Sequence, residues 1–132
     1  MRVKHKIFAG IAALSVVFGN AQILSAKNIV GTSVTLRTLD KVTAKTEDFT
    51  VDIGDTLMFG TLEVTPRHCE SKPPEETPET AAFLEIRDKR LDGSGEQDES
   101  EKIFSGWMFA SSPALNALDH RVYDVWVIAC NT

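Results

Sequence analysis

Apolar side chains fall at every second position over much of this chain. Val34 and Leu36 alternate with Thr35 and Arg37; Phe49, Val51 and Ile53 with Thr50 and Asp52; Ala82, Leu84 and Ile86 with Phe83, Glu85 and Arg87. Successive side chains of a strand point to opposite faces, so each segment predicts a strand with one buried face. Gly54-Asp55 follows Ile53 at once and predicts a two-residue hairpin loop, leading into a strand from Leu57 to about Val64. There Met58, Leu62 and Val64 share one side, and Gly60 leaves a gap that marks a bulge or a close approach by another part of the backbone. Pro66 cannot donate to a ladder, which puts Arg67 to Cys69 on an edge or past a bulge.

The stretch from Phe104 to Cys130 holds both tryptophans and the only tyrosine. Ile103 to Ala110 carries apolar residues on both faces and predicts a strand covered on both sides. Ser111-Ser112-Pro113 is a helix-start signature, with Ser112 as N-cap and Pro113 at the first helical position. Leu115 and Leu118 then share one side of a short helix, which Asp119-His120 ends. Val122 to Ala129 predicts a final, central strand. Tyr123, Val125 and Val127 lie on one side of it; Asp124, Trp126, Ile128 and Cys130 lie on the other. About six strands and one short helix predict an all-β fold, a small antiparallel barrel or a two-sheet sandwich.

Two segments break the alternation. Ser71 to Thr80 (SKPPEETPET) is a stiff acidic loop whose Glu75, Glu76 and Thr77 are candidate binding residues. Asp92 to Lys102 has two glycines and no apolar residue, as at a hairpin tip.

The N-terminus has a different character. Arg2, Lys4 and Lys6 precede an apolar run of 12 residues, Ile7 to Phe18, and small residues allow cleavage after Ala21 or Ala26. This predicts a signal peptide over residues 1–26, with 27–132 as a single β domain. The run is shorter than the roughly 20 residues that span a bilayer, so no membrane span is expected in the mature chain. Cleavage would remove three basic residues and no acid, leaving 11 basic against 19 acidic residues and a net charge of −8. That balance argues against a nucleic-acid partner, since phosphate binding needs clustered Lys and Arg. In an exported chain the two cysteines, Cys69 and Cys130, predict a disulfide.

Candidate chemistry is sparse. Ser111, Ser112, Asp119, His120 and Asp124 lie close in sequence, and a small serine hydrolase would use Ser111 or Ser112 with His120. No Gly-x-Ser-x-Gly elbow accompanies them. No close-set ligand pair predicts a metal, and no phosphate-binding loop predicts a nucleotide, so no catalytic residue, metal or cofactor is assigned. Asp124 interrupts an apolar strand. It is either a buried acceptor paired with Arg121, Arg67 or Arg37, or a titrating group in a small-ligand pocket beside Trp107 and Trp126.

The blocks LRTLDKVT (Leu36–Thr43), FGTLEV (Phe59–Val64), KPPEETPETAAFLEI (Lys72–Ile86) and FSGWMFASSPALNALDHRVYDVWVIAC (Phe104–Cys130), together with Cys69, resemble an uncharacterised family of exported bacterial proteins, domain of unknown function 2155. The resemblance implies a small periplasmic protein and brings no activity, cofactor or substrate. With the residue-level analysis it leads to the expectation of a non-enzymatic envelope binding or assembly module with an envelope protein as partner. Its surface would combine Glu75, Glu76 and Thr77 with Trp107, Ser111, His120 and Asp124.

Overall fold

The computed structural model of the protein describes residues 26–89 and 100–132. The predicted signal peptide and acidic tip lie outside these, apart from Ala26 and residues 100–102. Among the described residues eight strands are formed: β1 (Ile29–Val30), β2 (Ser33–Asp40), β3 (Lys45–Asp52), β4 (Leu57–Phe59), β5 (Leu62–Ser71), β6 (Thr80–Asp88), β7 (Glu101–Phe109) and β8 (Tyr123–Asn131). They make two antiparallel sheets. One has five strands in the order β1-β5-β6-β7, with β4 also on β5; the other has three, β3-β2-β8. The all-β fold is thus a two-sheet sandwich, in which β8 packs chiefly over β6.

The period-two signal placed most of the core. Val34, Leu36, Val51, Val125 and Val127 point inward from the smaller sheet, and Leu62, Val64, Leu84, Ile86 and Met108 from the larger. Burying each of the larger aliphatic side chains contributes about 2 kcal/mol. Two strands change phase on the way to their cysteines. In β5 the inward residues Leu62, Val64 and Pro66 are followed by Cys69, because Arg67 is an extra residue between the pairs Pro66–Leu84 and His68–Phe83. In β8 the inward Val125 and Val127 are followed by Cys130, because Ile128 is an extra residue between the pairs Leu36–Val127 and Thr35–Ala129. A one-residue shift sends every later side chain to the other face. The bulge at Ile128 therefore corrects the predicted grouping of Cys130 with Asp124 and Trp126. The two bulges aim both thiols inward, and Cys69–Cys130 forms with the Cα atoms 5.7 Å apart.

Other expectations are corrected. Gly54-Asp55 is a tight turn, with Gly54 at φ 93° and Asp55 N–H donating to Asp52 O over 3.0 Å. It joins the two sheets and closes no hairpin: β3 pairs along its length with β2, and β4 pairs with β5. The hairpin turn is Gly60-Thr61, between the paired Phe59 and Leu62, with Gly60 at φ 56°. Met58 therefore faces away from Leu62 and Val64 and is 54% exposed. β1, ahead of the first strand the alternation predicts, pairs with the end of β5.

No helix follows Ser112. Ala110 N–H bonds to Thr80 O at the start of β6, and His120 bonds to Asp88 at its end. The connection must travel the length of β6, about 26 Å at about 3.3 Å per residue. Ten residues of α-helix would reach only about 15 Å. The segment runs instead as turns along β7, with Asn116 donating to Trp107 O over 2.8 Å and Leu118 buried. Leu115, expected on the packed side, is 72% exposed. β7 and β8 are ends of their sheets' pairing orders, where the sequence predicts covered, central strands.

Gly31 seals the disulfide. A Cβ there would lie 2.2 Å from Cys130 Sγ and 2.8 Å from Cys69 Sγ. Gly31→Ala is expected to destabilise the protein by about 2 kcal/mol through overpacking, measured by denaturant unfolding. Losing the disulfide by Cys130→Ser is expected to cost on the order of 4 kcal/mol for a closed loop of this length.

Candidate functional site

His120 sits at the entrance to β8, with its side chain buried against the end of β6. Its Nε2 lies 3.0 Å from Asp88 Oδ2, and Thr61 Oγ1 donates to Asp88 Oδ1 over 2.6 Å. Nδ1 accepts from the backbone N–H groups of Val122 and Tyr123 at 3.0 and 3.1 Å. Asp88 and His120 are 4% and 8% exposed. Tyr123 stacks on the imidazole and packs over Gly60. The arrangement has the acid–histidine half of a hydrolytic triad, but both ring nitrogens are occupied. The lone pair a general base would offer to a serine is held by two backbone donors.

The serines are elsewhere. Ser111 Oγ donates to Glu79 Oε2, and the N–H groups of Ser111 and Thr80 donate to Glu79 Oε1 at 3.1 and 2.9 Å. The Ser111 hydroxyl is the main cause holding the Glu79 carboxyl below its ordinary value of 4.5, against a smaller desolvation effect. Ser112 lies in a turn, its N–H bonded to Phe109 O over 3.2 Å. Ser111 belongs to the Thr80 end of β6 and His120 to the Asp88 end, about 26 Å apart at about 3.3 Å per residue. A Ser–His pair does not form, and a binding surface joining Ser111 to His120 is likewise divided.

Asp124 is half-exposed on the outer face of β8 and pairs with Lys41 at 3.3 Å, rather than with any of the three arginines considered. Lys41 Nζ also donates to His120 O over 2.7 Å. Trp126 shares that outer face, alternating with the inward Val125 and Val127. Trp107 alternates with the inward Met108 on the outer face of the opposite sheet. The two tryptophans and Asp124 therefore line no common pocket.

Trp107 is the most distinctive group on the surface. It is 39% exposed, yet its ring is held edge-on by Phe83 at 5.6 Å and by His68 at 5.8 Å. His68 Nε2 is fixed by Glu70 Oε1 at 2.8 Å, and Asn28 donates to the other Glu70 oxygen over 2.9 Å. These partners keep the Glu70 carboxyl below its ordinary value, Asn28 being the larger cause. Along the same face lies a polar cleft of about 510 Å³ lined by Thr56, Met58, Glu63, Thr65, Arg67, Glu85 and Arg87. Arg67 reaches Glu85 at 3.2 Å there, and Lys89 reaches Glu63 at 2.7 Å.

Glu75, Glu76 and Thr77 occupy the loop between β5 and β6, closed at its base by Lys72 N–H donating to Glu79 O over 2.9 Å. Glu75 and Thr77 are exposed, and Glu76 faces Lys72 at 3.5 Å. The loop base meets Ser111 through Glu79, so this part of the expected surface is contiguous. Sequence reasoning missed Asp88, Glu79, Thr61 and Lys41. Asp88 had a signal: it continues the inward phase of Ala82, Leu84 and Ile86. Phe83, on the outward phase, likewise marked a neighbour for Trp107. Among the described residues, no three His, Cys, Asp or Glu side chains are grouped to hold a metal ion. No helix among them is long and apolar enough to cross a membrane.

Comparison with known proteins gives one family and one distant relative. A family described as an uncharacterized protein conserved in bacteria (DUF2155) matches residues 34–130. The uncharacterized protein RP359 of Rickettsia prowazekii (strain Madrid E) is 23% identical over 92 residues, which cover 70% of this chain and 56% of that protein. The chain thus spans little more than half the length of this relative. No solved structure matches.

Two outcomes follow from this geometry. A fluorophosphonate probe is expected to leave Ser111 and Ser112 unlabelled; labelling that disappears in His120→Ala would overturn the separation of these groups. Glu79 contributes stability that is present above the ordinary glutamate value and lost as pH falls through its lowered folded-state value. Ser111→Ala is expected to raise the Glu79 value and weaken that contribution, read by carboxyl NMR titration.

Proposed function

The chain belongs to the DUF2155 family of uncharacterised bacterial proteins, and we propose that it serves as an exported, non-enzymatic binding or assembly module of the cell envelope. Its partner would be another envelope protein, bound on the outer face of the larger sheet. Export is supported by the basic start and apolar run of residues 1–26, and by a structural disulfide, which persists in oxidising compartments such as the periplasm.

The observation that carries the binding reading is the state of Trp107. An exposed indole with its ring already packed on two sides loses little conformational freedom on contact. Protein interfaces are enriched in aromatic residues, Met and Arg, and their energetic centres in Trp, Tyr and Arg. Trp107, Met58, Arg67 and Arg87 supply that chemistry on one face, while the ion pairs beside them supply a polar rim. The acidic loop carrying Glu75 and Thr77 projects from the Trp107 end of the same sheet, where it can contribute charge. Nothing in this face requires a reaction: the buried Asp88–His120 pair is spent on structure, and Ser111 is spent on Glu79.

Crosslinking in intact cells followed by mass spectrometry tests this reading. The wild type is expected to yield a defined envelope protein, and Trp107→Ala to lose it by about 30-fold, the effect of removing an anchor worth about 2 kcal/mol. Equal crosslinking by wild type and by a folded Trp107→Ala variant would remove this face from consideration.

A further inference from the structure

We infer that the Asp88–His120 pair is a proton-operated latch that closes one end of the sandwich. The imidazole bridges the sheets, touching Asp88 at the end of β6 through Nε2 and the entrance of β8 through Nδ1. Val122 and Tyr123 present N–H donors to Nδ1, so this nitrogen offers its lone pair and the ring proton resides on Nε2, directed at Asp88. A second proton has only Nδ1 to bind, and there it would face both backbone donors. The charged ring therefore cannot keep the hydrogen bonds of the closed state. It must leave its seat, and Val122 and Tyr123 lose their acceptor at the same moment.

The groups around the ring set what moves with it. Among the described residues, Asp88 faces it from β6 and Tyr123 from β8, where the rings stack at 5.3 Å. Lys41, from the turn after β2, holds His120 O over 2.7 Å and pairs with Asp124 at 3.3 Å. Asp88 attracts a cationic ring and Lys41 repels it. The two backbone donors make charge and the closed geometry incompatible. Because His120 and Asp88 are nearly fully buried, water cannot replace the lost partners until this end opens. Opening reaches the β4–β5 turn, since Tyr123 packs over Gly60 and edge-on to Phe59 at 5.1 Å. The other end stays pinned by Cys69–Cys130, so the movement is local.

Nitrogen-15 NMR of the full chain tests the latch. His120 is expected as the Nε2–H tautomer near neutral pH. As pH falls through the His120 titration, amide exchange at Val122 and Tyr123, corrected for its intrinsic pH dependence, is expected to rise at least tenfold. The amides of Gly31 and Thr32, bonded to Cys69 O and Asn131 O at 3.0 and 2.7 Å, stay protected. Asp88→Asn keeps an oxygen acceptor but weakens the buried closed-state bond from Nε2–H, so it should move the opening to higher pH. An Nδ1–H tautomer, constant protection through the titration, global unfolding before His120 titrates, or no shift in Asp88→Asn would each overturn the inference.

Discussion

The two sheets are fastened to each other at opposite ends by bonds of different kinds, and the placement of the surface groups depends on both. Near the start of β6 the fastening is covalent, Cys69 to Cys130. At the end of β6 it is a buried chain of hydrogen bonds, Thr61 to Asp88 to His120 to the backbone of Val122 and Tyr123. A small sandwich has limited apolar area to bury, so cross-links between its layers carry a large share of its stability. The covalent link acts by restricting the unfolded chain. The polar link acts through direction: its hydrogen bonds fix the β4–β5 turn, the end of β6 and the start of β8 relative to one another.

These fastenings account for residues that otherwise resemble an active site. Asp88 and His120 have the proximity and burial of a catalytic dyad, but the second imidazole nitrogen is committed to the backbone. Ser111 has a carboxylate neighbour, but that carboxylate accepts its proton-bearing group and two N–H bonds as a cap on the β5–β6 loop. What remains outside the structural ledger is the outer face of the larger sheet, where the indole of Trp107 is held edge-on by Phe83 and His68 beside a row of ion pairs.

Most of the inward-facing residues were legible as alternation, because the side-chain period of a strand is a local property. The disulfide was legible from cysteine number and the character of the N-terminus. Local rules failed where a distant strand decided the outcome. Gly54-Asp55 has the chemistry of a hairpin turn, yet β2 already occupies the ladder of β3, so the chain crosses to the other sheet. Ser112-Pro113 has the chemistry of a helix start, yet the chain must cover the length of β6 in too few residues for a helix. Both signals were sound as local preferences and lost to tertiary geometry.

The stretch Phe104–Cys130 divides along the same line. Alternation in β8 separated the inward Val125 and Val127 from the outward Asp124 and Trp126, whereas β7, expected to be covered on both sides, lies at the end of its sheet with Met108 inward. Which face Cys130 joins was beyond any local rule, because the extra residue at Ile128 is defined only by the pairing of β8 with β2. The same holds for His120, whose partner Asp88 lies 32 positions away in the chain. Alternation is set by backbone geometry within a few residues, and the amino-acid order contains it fully. Bulge registry and buried polar pairing are set by which segments meet, and only the assembled sandwich contains that.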